Sequence, residues 1–419
     1  MSDRTSERSK RFRVVAAASV GNALEWYDFI VYGFFAITMA KLFFPVGNPT
    51  ISLLVAFATF GVTFLVRPVG AVILGSYADR HGRKAAFTLT IVLMTIGTAM
   101  IALAPTYSAI GLGAPLLIVA ARVIQGFSAG GEFGSATALL AEQNPNQRGF
   151  FASWQFASQG ITLVLGTGVG FILLGTLSQS QMEAWGWRLP YVVGLVIGPV
   201  AYYVRTRIDE TSEFKTVQVS SSPLREALSD GRWRVLISFG AVVLCTVGMY
   251  TILFMPTYAA RQLGLPGSGA FLASFLTGVI QVIFIPLVGS LSDRVGRLPV
   301  GAASAVGMLV LIYPMFAWLA ASPTLQTLLI VQAVMGLLLA GYMGGLAALM
   351  AELFPTRMRT TGLSISYSFG VALFGGFAPF INAWLISLTG DKLAPSFYLM
   401  LAATVSLAAM RAAHRLGIR

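Results

Sequence analysis

Long apolar stretches dominate this chain and restrict what it can fold into. Twelve of them, each roughly 20 residues or more, alternate with short polar segments. A helix of about 20 residues crosses the ~30 Å hydrocarbon core of a bilayer. Only 11% of the 419 residues are charged and the mean hydropathy is +0.77, whereas an ordinary soluble domain is about 25% charged. The sequence therefore predicts an all-α integral membrane protein and excludes a soluble enzyme or a disordered chain.

The apolar stretches fall into two groups of six around one long polar segment. This order predicts an N-terminal six-helix bundle at 1–205, a cytoplasmic linker at 206–233 and a C-terminal six-helix bundle at 234–419. Spans 1 to 6 are predicted at about 14–40, 51–77, 85–104, 112–141, 150–176 and 187–205. Spans 7 to 12 are predicted at about 235–260, 269–290, 299–320, 326–353, 361–388 and 395–413.

The distribution of basic residues predicts the orientation in the membrane. With the N-terminus in the cytoplasm, 22 of the 28 Lys and Arg residues fall on the cytoplasmic side, four fall outside, and two lie within spans. Cytoplasmic loops of membrane proteins carry this excess. We therefore expect a multi-pass protein of a bacterial inner membrane with both termini in the cytoplasm. The net charge of +12 needs no nucleic-acid partner, because the basic residues form no continuous stripe.

Residue types that serve in catalysis or metal binding are scarce. The chain has one cysteine, Cys245, and two histidines, His81 and His414, far apart in the sequence. Disulfides, a metal site and a bound cofactor are not expected. No nucleophile lies near a base in a recognisable motif, so the sequence predicts a protein that is not an enzyme.

Two short motifs occur once in each half of the chain. The pattern Gly-x-x-x-Asp-Arg-x-Gly-Arg closes the loop after span 2 at 75–83 and after span 8 at 289–297, and Ala-Glu-x-x-Pro follows span 4 at 141–145 and span 10 at 351–355. Offsets of 214 and 210 indicate two halves of equal topology, an arrangement found in transporters with a central substrate site. We expect these loops to form a cytoplasmic gate made of Asp79, Arg83, Glu142, Asp293, Arg297 and Glu352.

The loop motif of both halves resembles the signature of the major facilitator superfamily. Segments 21–29, 122–134 and 185–190 are similar to its metabolite:proton symporter family, and 388–395 is most similar to the citrate and tricarballylate symporters. The resemblance covers essentially the whole chain. It implies the twelve-helix major facilitator fold, alternating access by a rocker-switch movement and a coupling proton.

Five charged residues are predicted to lie at membrane depth. Counted from the ends of their spans at 1.5 Å per residue, Arg67, Glu25, Asp28 and Glu132 lie about 15 to 22 Å inside, and Arg122 lies in the outer half. A charge facing lipid costs about 2.5 to 3.5 kcal/mol even on the mildest scale. We therefore expect all five to face an aqueous cavity, with Glu25, Asp28 and Glu132 as candidates for proton coupling.

Polar residues recur on the same helical faces as these charges. Arginine is suited to a carboxylate cargo because its planar guanidinium stays protonated and donates two parallel hydrogen bonds. The repeat places Gln281 where the first half has Arg67, so we expect the second half to close the cavity with uncharged groups. The predicted substrate-binding residues are Arg67, Arg122, Asn22, Tyr32, Gln125, Gln155, Gln159, Gln281 and Tyr367.

These features predict a secondary transporter that works as a monomer and imports a di- or tricarboxylate such as citrate together with protons. Each negative charge moved inward against about 100 mV costs roughly 2.3 kcal/mol, which co-transported protons offset. Two transporter alternatives remain: sodium as the coupling ion, and another metabolite such as 2-oxoglutarate, shikimate, betaine or proline. A receptor that binds the same anions without moving them is a further alternative.

Overall fold

The computed structural model describes residues 15–16, 18–19, 22–23, 25–81, 83–130, 132–206, 229 and 231–418, without the side chains of residues 75, 76, 78–81, 83–87, 132, 197, 200–206 and 357. The predicted linker at 206–233 lies almost entirely outside the described residues. The predicted gate residues Asp79 and Arg83 have described backbones only, as does Glu132.

Helices account for nearly all of the described residues, in the predicted order and without a strand among them. Nine of these helices are long and apolar enough to cross a membrane, and the bent helix pair of span 1 is a tenth candidate span. The shorter helices of spans 3 and 6 bring the number of spans to twelve. Spans 1 to 6 comprise Glu25–Phe34 with Ala36–Phe43, Pro49–His81, Arg83–Ala102, Gly113–Ser128 with Glu132–Glu142, Arg148–Thr176 and Leu189–Thr206. Spans 7 to 12 comprise Arg232–Gln262, Gly267–Val295, Arg297–Ala321, Leu325–Leu353, Arg359–Gly370 with Ala378–Thr389, and Ala394–Arg415.

Three spans are interrupted, which the apolar pattern did not predict. Span 1 bends by 70° between its two helices. Span 4 is interrupted after Ser128, where Ala129 and Gly130 form a turn, and span 11 contains a π-helical segment at Val371–Gly375. Such interruptions are tolerated inside a membrane only where protein or water satisfies the freed backbone groups, and π segments often mark functional sites.

The spans pack as two bundles. In the first half, span 4 lies against spans 2 and 3, and span 6 lies against span 3; in the second half, span 7 lies against span 12 and span 9 against spans 10 and 12. The halves meet chiefly along spans 5 and 8, with a second contact between spans 2 and 11. We call the end of the molecule that carries the loops after spans 2, 4, 8 and 10 the basic end.

Close contact between spans 2 and 4 depends on glycine. A Cβ atom built on Gly126 would lie 2.0 Å from the main-chain oxygen of Thr63, so only glycine fits. This crossing brings the helix that carries Arg67 against the helix that carries Arg122.

Replacing Gly126 with alanine is expected to force the two helices apart and lower the stability by about 1 to 3 kcal/mol. The measurement is the thermal unfolding midpoint of the purified protein in detergent. Gly175→Ala is the matched control, because its Cβ atom would meet no heavy atom within 4 Å. An unchanged midpoint for Gly126→Ala would contradict this description of the helix crossing.

Polar contacts also connect helices and loops at the end of the molecule opposite the basic end. Lys41 Nζ lies 2.5 Å from Glu183 Oε1, and Arg188 donates to the main-chain oxygen of Ala104 at 3.0 Å. The hydrogen bond from Lys41 holds the pKa of Glu183 below its ordinary value. These contacts involve the end of span 1, the connection after span 3 and the connection between spans 5 and 6.

Candidate functional site

A narrow cavity, in which about 20 Å³ is open to the centre of a water molecule, lies where the two halves meet. Spans 1 and 5 contribute Trp26 and Gln159, and spans 7 and 11 contribute Tyr250 and Tyr367. The cavity is also lined by Ile30, Leu163, Cys245, Thr246, Met249 and Leu253. All of these lining residues are uncharged, so the charged groups of the first half lie outside the wall of the cavity in this conformation.

Arg67 is buried in the first half, one layer behind this wall. Its side chain is 3% exposed; Nη2 lies 3.3 Å from Glu25 Oε1, and Nε and Nη2 donate to the main-chain oxygen of Ala129 at 3.3 and 3.0 Å. Ala129 follows the last residue of the first helix of span 4. Nη1 is buried with no hydrogen-bond acceptor among the described residues. A buried guanidinium with an unused donor is a candidate anion ligand, because buried donors are nearly always paired.

Arg122 is completely buried in a second polar cluster. Its Nη1 donates to Gln125 Oε1 at 2.8 Å and approaches the main-chain oxygen of Asp28 at 3.4 Å. Its Cζ lies 4.5 Å from the ring centroid of Tyr32, a cation–π distance. Nε and Nη2 have no acceptor in the described part of the chain. Arg122 and Asp28 therefore meet as expected from their depths, but through the backbone of Asp28 and not through its carboxylate.

Aromatic rings separate the guanidinium groups from each other and from the cavity. The Cζ atoms of Arg67 and Arg122 lie 5.7 and 5.5 Å from the centroid of Phe29. Between Arg67 and the cavity stands Trp26, whose ring is 5.0 Å from Cζ of Arg67. The ring of Tyr250 packs against Phe64, centroid to centroid, at 5.4 Å. We call Trp26, Phe29, Phe60, Phe64 and Tyr250 the aromatic layer; a cargo in the cavity reaches either arginine only after this layer moves.

The carboxyl group of Asp28 is held by span 3. Thr98 Oγ1 donates to Asp28 Oδ2, while Oδ1 is buried without a hydrogen-bond donor among the described residues. A Cβ atom on Gly194 of span 6 would lie 2.4 Å from Oδ1. The glycine thus makes room for a carboxyl group that would otherwise have no space between spans 1, 3 and 6.

The structure divides the remaining predicted substrate-binding residues between the cavity and the bundle interiors. Gln159 and Tyr367 line the cavity and are joined by a 3.3 Å hydrogen bond. Asn22 and Gln155 are bonded to each other across spans 1 and 5.

Three further residues of that set also lie away from the cavity wall. Tyr32 donates to the main-chain oxygen of Ala56, Gln125 donates to Thr98, and Gln281 contacts the sulfur of Met249. The expected single face of polar residues around one open cavity is therefore not the arrangement in this conformation, because these side chains satisfy one another within the bundles.

Charged residues at the basic end join the two halves, and we call this set the latch. Glu142 pairs with Arg359 at 2.7 Å. Asp293 accepts hydrogen bonds from the amides of Gly149 and Phe150 at 2.8 and 3.0 Å, at the start of span 5. A carboxylate at a helix N-terminus is stabilised by free amides and the helix dipole. These contacts cross between the halves.

Arg297 and Glu352 complete the latch within the second half. Arg297 lies 2.7 Å from Asp293 and 3.3 Å from Glu352, and Arg148 of the first half approaches Glu352 at 3.8 Å. Sequence reasoning missed Arg148 and Arg359. The available signal was positional: each begins the span that follows the Ala-Glu-x-x-Pro motif.

Replacing Asp293 with asparagine is expected to weaken the latch and open the basic end more often. Cys245 is the only cysteine of the chain and lines the cavity, so its alkylation by N-ethylmaleimide measures access. Losing charge-assisted hydrogen bonds worth about 1.5 kcal/mol should speed alkylation about tenfold. Arg294→Gln, an exposed neighbour, is the control. Equal alkylation rates in Asp293→Asn and wild type would contradict the latch.

The opposite end of the cavity is closed by apolar contacts between the halves. Phe57 and Phe254 have centroids 5.8 Å apart, and Phe34 lies 5.5 Å from Phe271. With the latch closed as well, contacts between the halves lie at both ends of the cavity in the described part of the chain, and we call this conformation occluded. A metal-binding cluster of His, Cys, Asp or Glu is absent from the described residues.

Comparisons with known proteins cover both halves. A family model described as Sugar (and other) transporter matches residues 14–232, and one described as Major Facilitator Superfamily matches residues 237–415. The citrate-proton symporter of Salmonella typhi is 36% identical over 410 residues, covering 96% of this chain and 94% of that protein. The proline/betaine transporter of Escherichia coli K12 is 34% identical over 421 residues, covering 94% and 82%.

Solved structures share the fold at much lower identity. The proton:xylose symporter bound to 6-bromo-6-deoxy-D-glucose has a TM-score of 0.77 at 16% identity and covers 97% of this chain and 95% of that one. The xylose transporter from E. coli in a partially occluded inward open conformation has a TM-score of 0.71 at 16% identity, covering 96% and 97%. With family models matched in both halves and relatives above 30% identity along nearly the whole length, this multi-pass membrane protein belongs to the major facilitator superfamily.

Proposed function

We propose that this protein imports a di- or tricarboxylate such as citrate together with protons, by alternating access. The observation that carries the proposal is the pair of buried arginines, Arg67 and Arg122, which lie behind the aromatic layer next to the cavity between the bundles and have N–H groups without an acceptor among the described residues. Its relatives support the same class of cargo, since one group of them consists of citrate-proton symporters.

The two arginines would act on the cargo after the aromatic layer moves. Arg67 is nearer to the cavity, separated from it by Trp26, so it would meet the cargo first. A carboxylate of the cargo would compete with Glu25 for Arg67, because both accept hydrogen bonds from the same guanidinium. Gln159 and Tyr367 would hold the cargo from the cavity side.

Proton coupling is assigned to the carboxylates of the first half. Asp28 is buried, and Thr98 is the one described side chain that donates to its carboxyl group, so few hydrogen bonds oppose protonation of that group. Glu25 and Glu132 remain candidates for a second proton. Moving a divalent anion into the cell against a membrane potential of about 100 mV costs roughly 4.6 kcal/mol, and two protons carried with it cancel this cost.

The latch would be the cytoplasmic gate. In this assignment the basic end faces the cytoplasm of a bacterial cell, the protein lies in the inner membrane with both termini inside, and 1–205 and 234–419 move as rigid halves around the linker. One chain forms a complete site, so the monomer would be the working unit. Asp79 and Arg83 would take the corresponding place in the first half.

A second cargo class is favoured by the cavity wall. Trp26, Tyr250 and Tyr367 are among its lining residues, and aromatic rings can bind quaternary ammonium groups. Proline/betaine transporters are among the relatives. A zwitterion such as betaine would place its carboxylate toward Arg67 and its methylated nitrogen among these rings.

The deciding experiment is uptake of radiolabelled citrate by proteoliposomes, with unlabelled 2-oxoglutarate, shikimate, proline and betaine as competitors. We expect citrate accumulation driven by an imposed pH gradient and inhibited by other di- or tricarboxylates. If betaine is the only competitor that inhibits uptake, the cargo is a zwitterion and not a di- or tricarboxylate. Uptake that follows a sodium gradient at fixed pH would mean that sodium, and not the proton, is the coupling ion. Binding without counterflow would indicate a receptor.

A further inference from the structure

A continuous chain of hydrogen bonds links Arg122 to Asp28 without an ion pair between them. Arg122 Nη1 donates to Gln125 Oε1 at 2.8 Å, Gln125 Nε2 donates to Thr98 Oγ1 at 3.1 Å, and Thr98 Oγ1 donates to Asp28 Oδ2. All four side chains are at most 5% exposed. The chain runs from span 4 through span 3 to span 1.

The direction of this chain follows from the charge of Arg122. Arginine has five N–H donors, no acceptor, and stays protonated in proteins. The oxygen of the Gln125 amide must therefore face Arg122, which turns its NH₂ group toward Thr98. The Thr98 oxygen accepts that hydrogen bond, so its single O–H hydrogen is available only to another acceptor.

Two acceptors compete for that hydrogen. Thr98 Oγ1 reaches Asp28 Oδ2 and also the main-chain oxygen of Met94, at 3.0 Å. An ionised carboxylate is the stronger acceptor, so the hydrogen points to Asp28 when Asp28 is charged. When Oδ2 carries a proton, Asp28 donates to Thr98, and the Thr98 hydrogen turns to Met94. A hydroxyl has one donor and two acceptor positions, so the Thr98 hydrogen has an acceptor in both states.

We infer that Thr98 and Gln125 are positioning residues that connect Arg122 to Asp28 and set how tightly the Asp28 carboxyl group holds a proton. The inference rests on the proposed function, because it assigns the coupling between cargo and proton to this chain. A cargo carboxylate that binds the unused Nε and Nη2 of Arg122 would weaken the hydrogen bond from Nη1 to Gln125 and so change the hydrogen bond that Thr98 offers to Asp28.

The other described groups around Asp28 do not donate a hydrogen bond to its carboxyl group. Span 6 presents Gly194 and Tyr191, span 4 presents Arg122, and span 1 itself presents Tyr27. Arg122 contacts only the main-chain oxygen of Asp28. Among the described residues, Thr98 is the one side chain that donates to the carboxyl group.

The test replaces Thr98 with valine, which keeps the shape and removes the hydroxyl, and compares it with Thr98→Ser, which keeps the hydroxyl. Infrared difference spectra of the purified protein, titrated with pH, detect the C=O stretch of protonated carboxyl groups. The component that disappears in Asp28→Asn belongs to Asp28. This measurement needs no substrate, so it is independent of which cargo the protein carries.

In Thr98→Val the ionised carboxylate loses its donor, which favours the protonated form. The titration midpoint of the Asp28 component should rise by about one pH unit and stay near the wild-type value in Thr98→Ser. Thr98→Ala serves as a second hydroxyl-free variant if the valine protein does not fold. An unchanged midpoint in the hydroxyl-free variants, or an Asp28 component that never titrates, would overturn the inference.

Failure of the proposed function would give different experimental results from failure of this inference. Wild-type proteoliposomes that take up no citrate, or take it up without regard to pH, would remove the proposed cargo or the coupling proton. The infrared midpoints of Thr98→Val and Thr98→Ser would still decide whether Thr98 controls the Asp28 proton.

Discussion

Replacing Arg67 with glutamine is expected to lower the uptake of labelled citrate about 100-fold or more, since it removes at least two charge-assisted hydrogen bonds of about 1.5 kcal/mol each. Citrate should also no longer raise the thermal unfolding midpoint of the purified protein, because a ligand stabilises the state that binds it. Both measurements follow from the guanidinium that lies between Glu25 and the cavity wall.

A purely structural role for Arg67 makes a different prediction. Arg67 and Glu25 form a buried pair, and removal of one partner from such a pair destabilises a protein by about 3 to 5 kcal/mol. The double variant Arg67→Gln, Glu25→Gln leaves no unpaired charge and should recover stability without recovering citrate binding. Recovery of uptake in the double variant would mean that Arg67 only holds the helices together. Arg232→Gln, an exposed arginine, controls for the change of net charge.

Replacing Asp28 with asparagine is expected to abolish accumulation of citrate against its gradient. The amide has nearly the shape of the carboxyl group but carries no transferable proton, so the downhill flow of protons can no longer drive uptake. Counterflow of labelled against unlabelled citrate should remain measurable, because it requires no net proton movement. The measurement compares pH-driven accumulation with counterflow in the same proteoliposomes.

The control for this variant is Asp391→Asn, which removes a carboxylate from an exposed loop and should leave accumulation unchanged. If Asp28→Asn still accumulates citrate in response to a pH gradient, the proton is carried elsewhere, with Glu25 and Glu132 as the next candidates. A variant that loses counterflow as well would indicate that Asp28 holds the site together and does not carry the proton.

The class of fold and the family were predictable because they depend on local composition. Apolar runs of roughly 20 residues must become helices in a bilayer, where unpaired backbone groups are very costly. The family models and the near full-length relatives confirm the resemblance read from the loop motifs. The duplicated Asp and Glu of those motifs also pointed to the basic end, where Asp293, Glu142 and Glu352 are found.

The arrangement of the candidate site was less predictable. Spacing placed Asn22, Glu25 and Tyr32 on one face of span 1, yet each has a different partner on a neighbouring span. Arg359 is 217 residues from its partner Glu142, and Thr98 is 70 from Asp28. Periodicity within one helix carries no information about pairs so far apart.

From sequence alone, the apolar periodicity and the internal duplication were enough for twelve spans in two halves and a charged first half, because the bilayer constrains each segment separately. The orientation given by the basic loops stays a prediction. Whether a given charge meets the cargo, another helix or an aromatic ring depends on how the helices cross. Those crossings come from close contacts such as Gly126 on Thr63, from breaks in the spans and from the closed latch. In this occluded conformation they place both arginines behind the aromatic layer, a position that no pattern along the chain encodes.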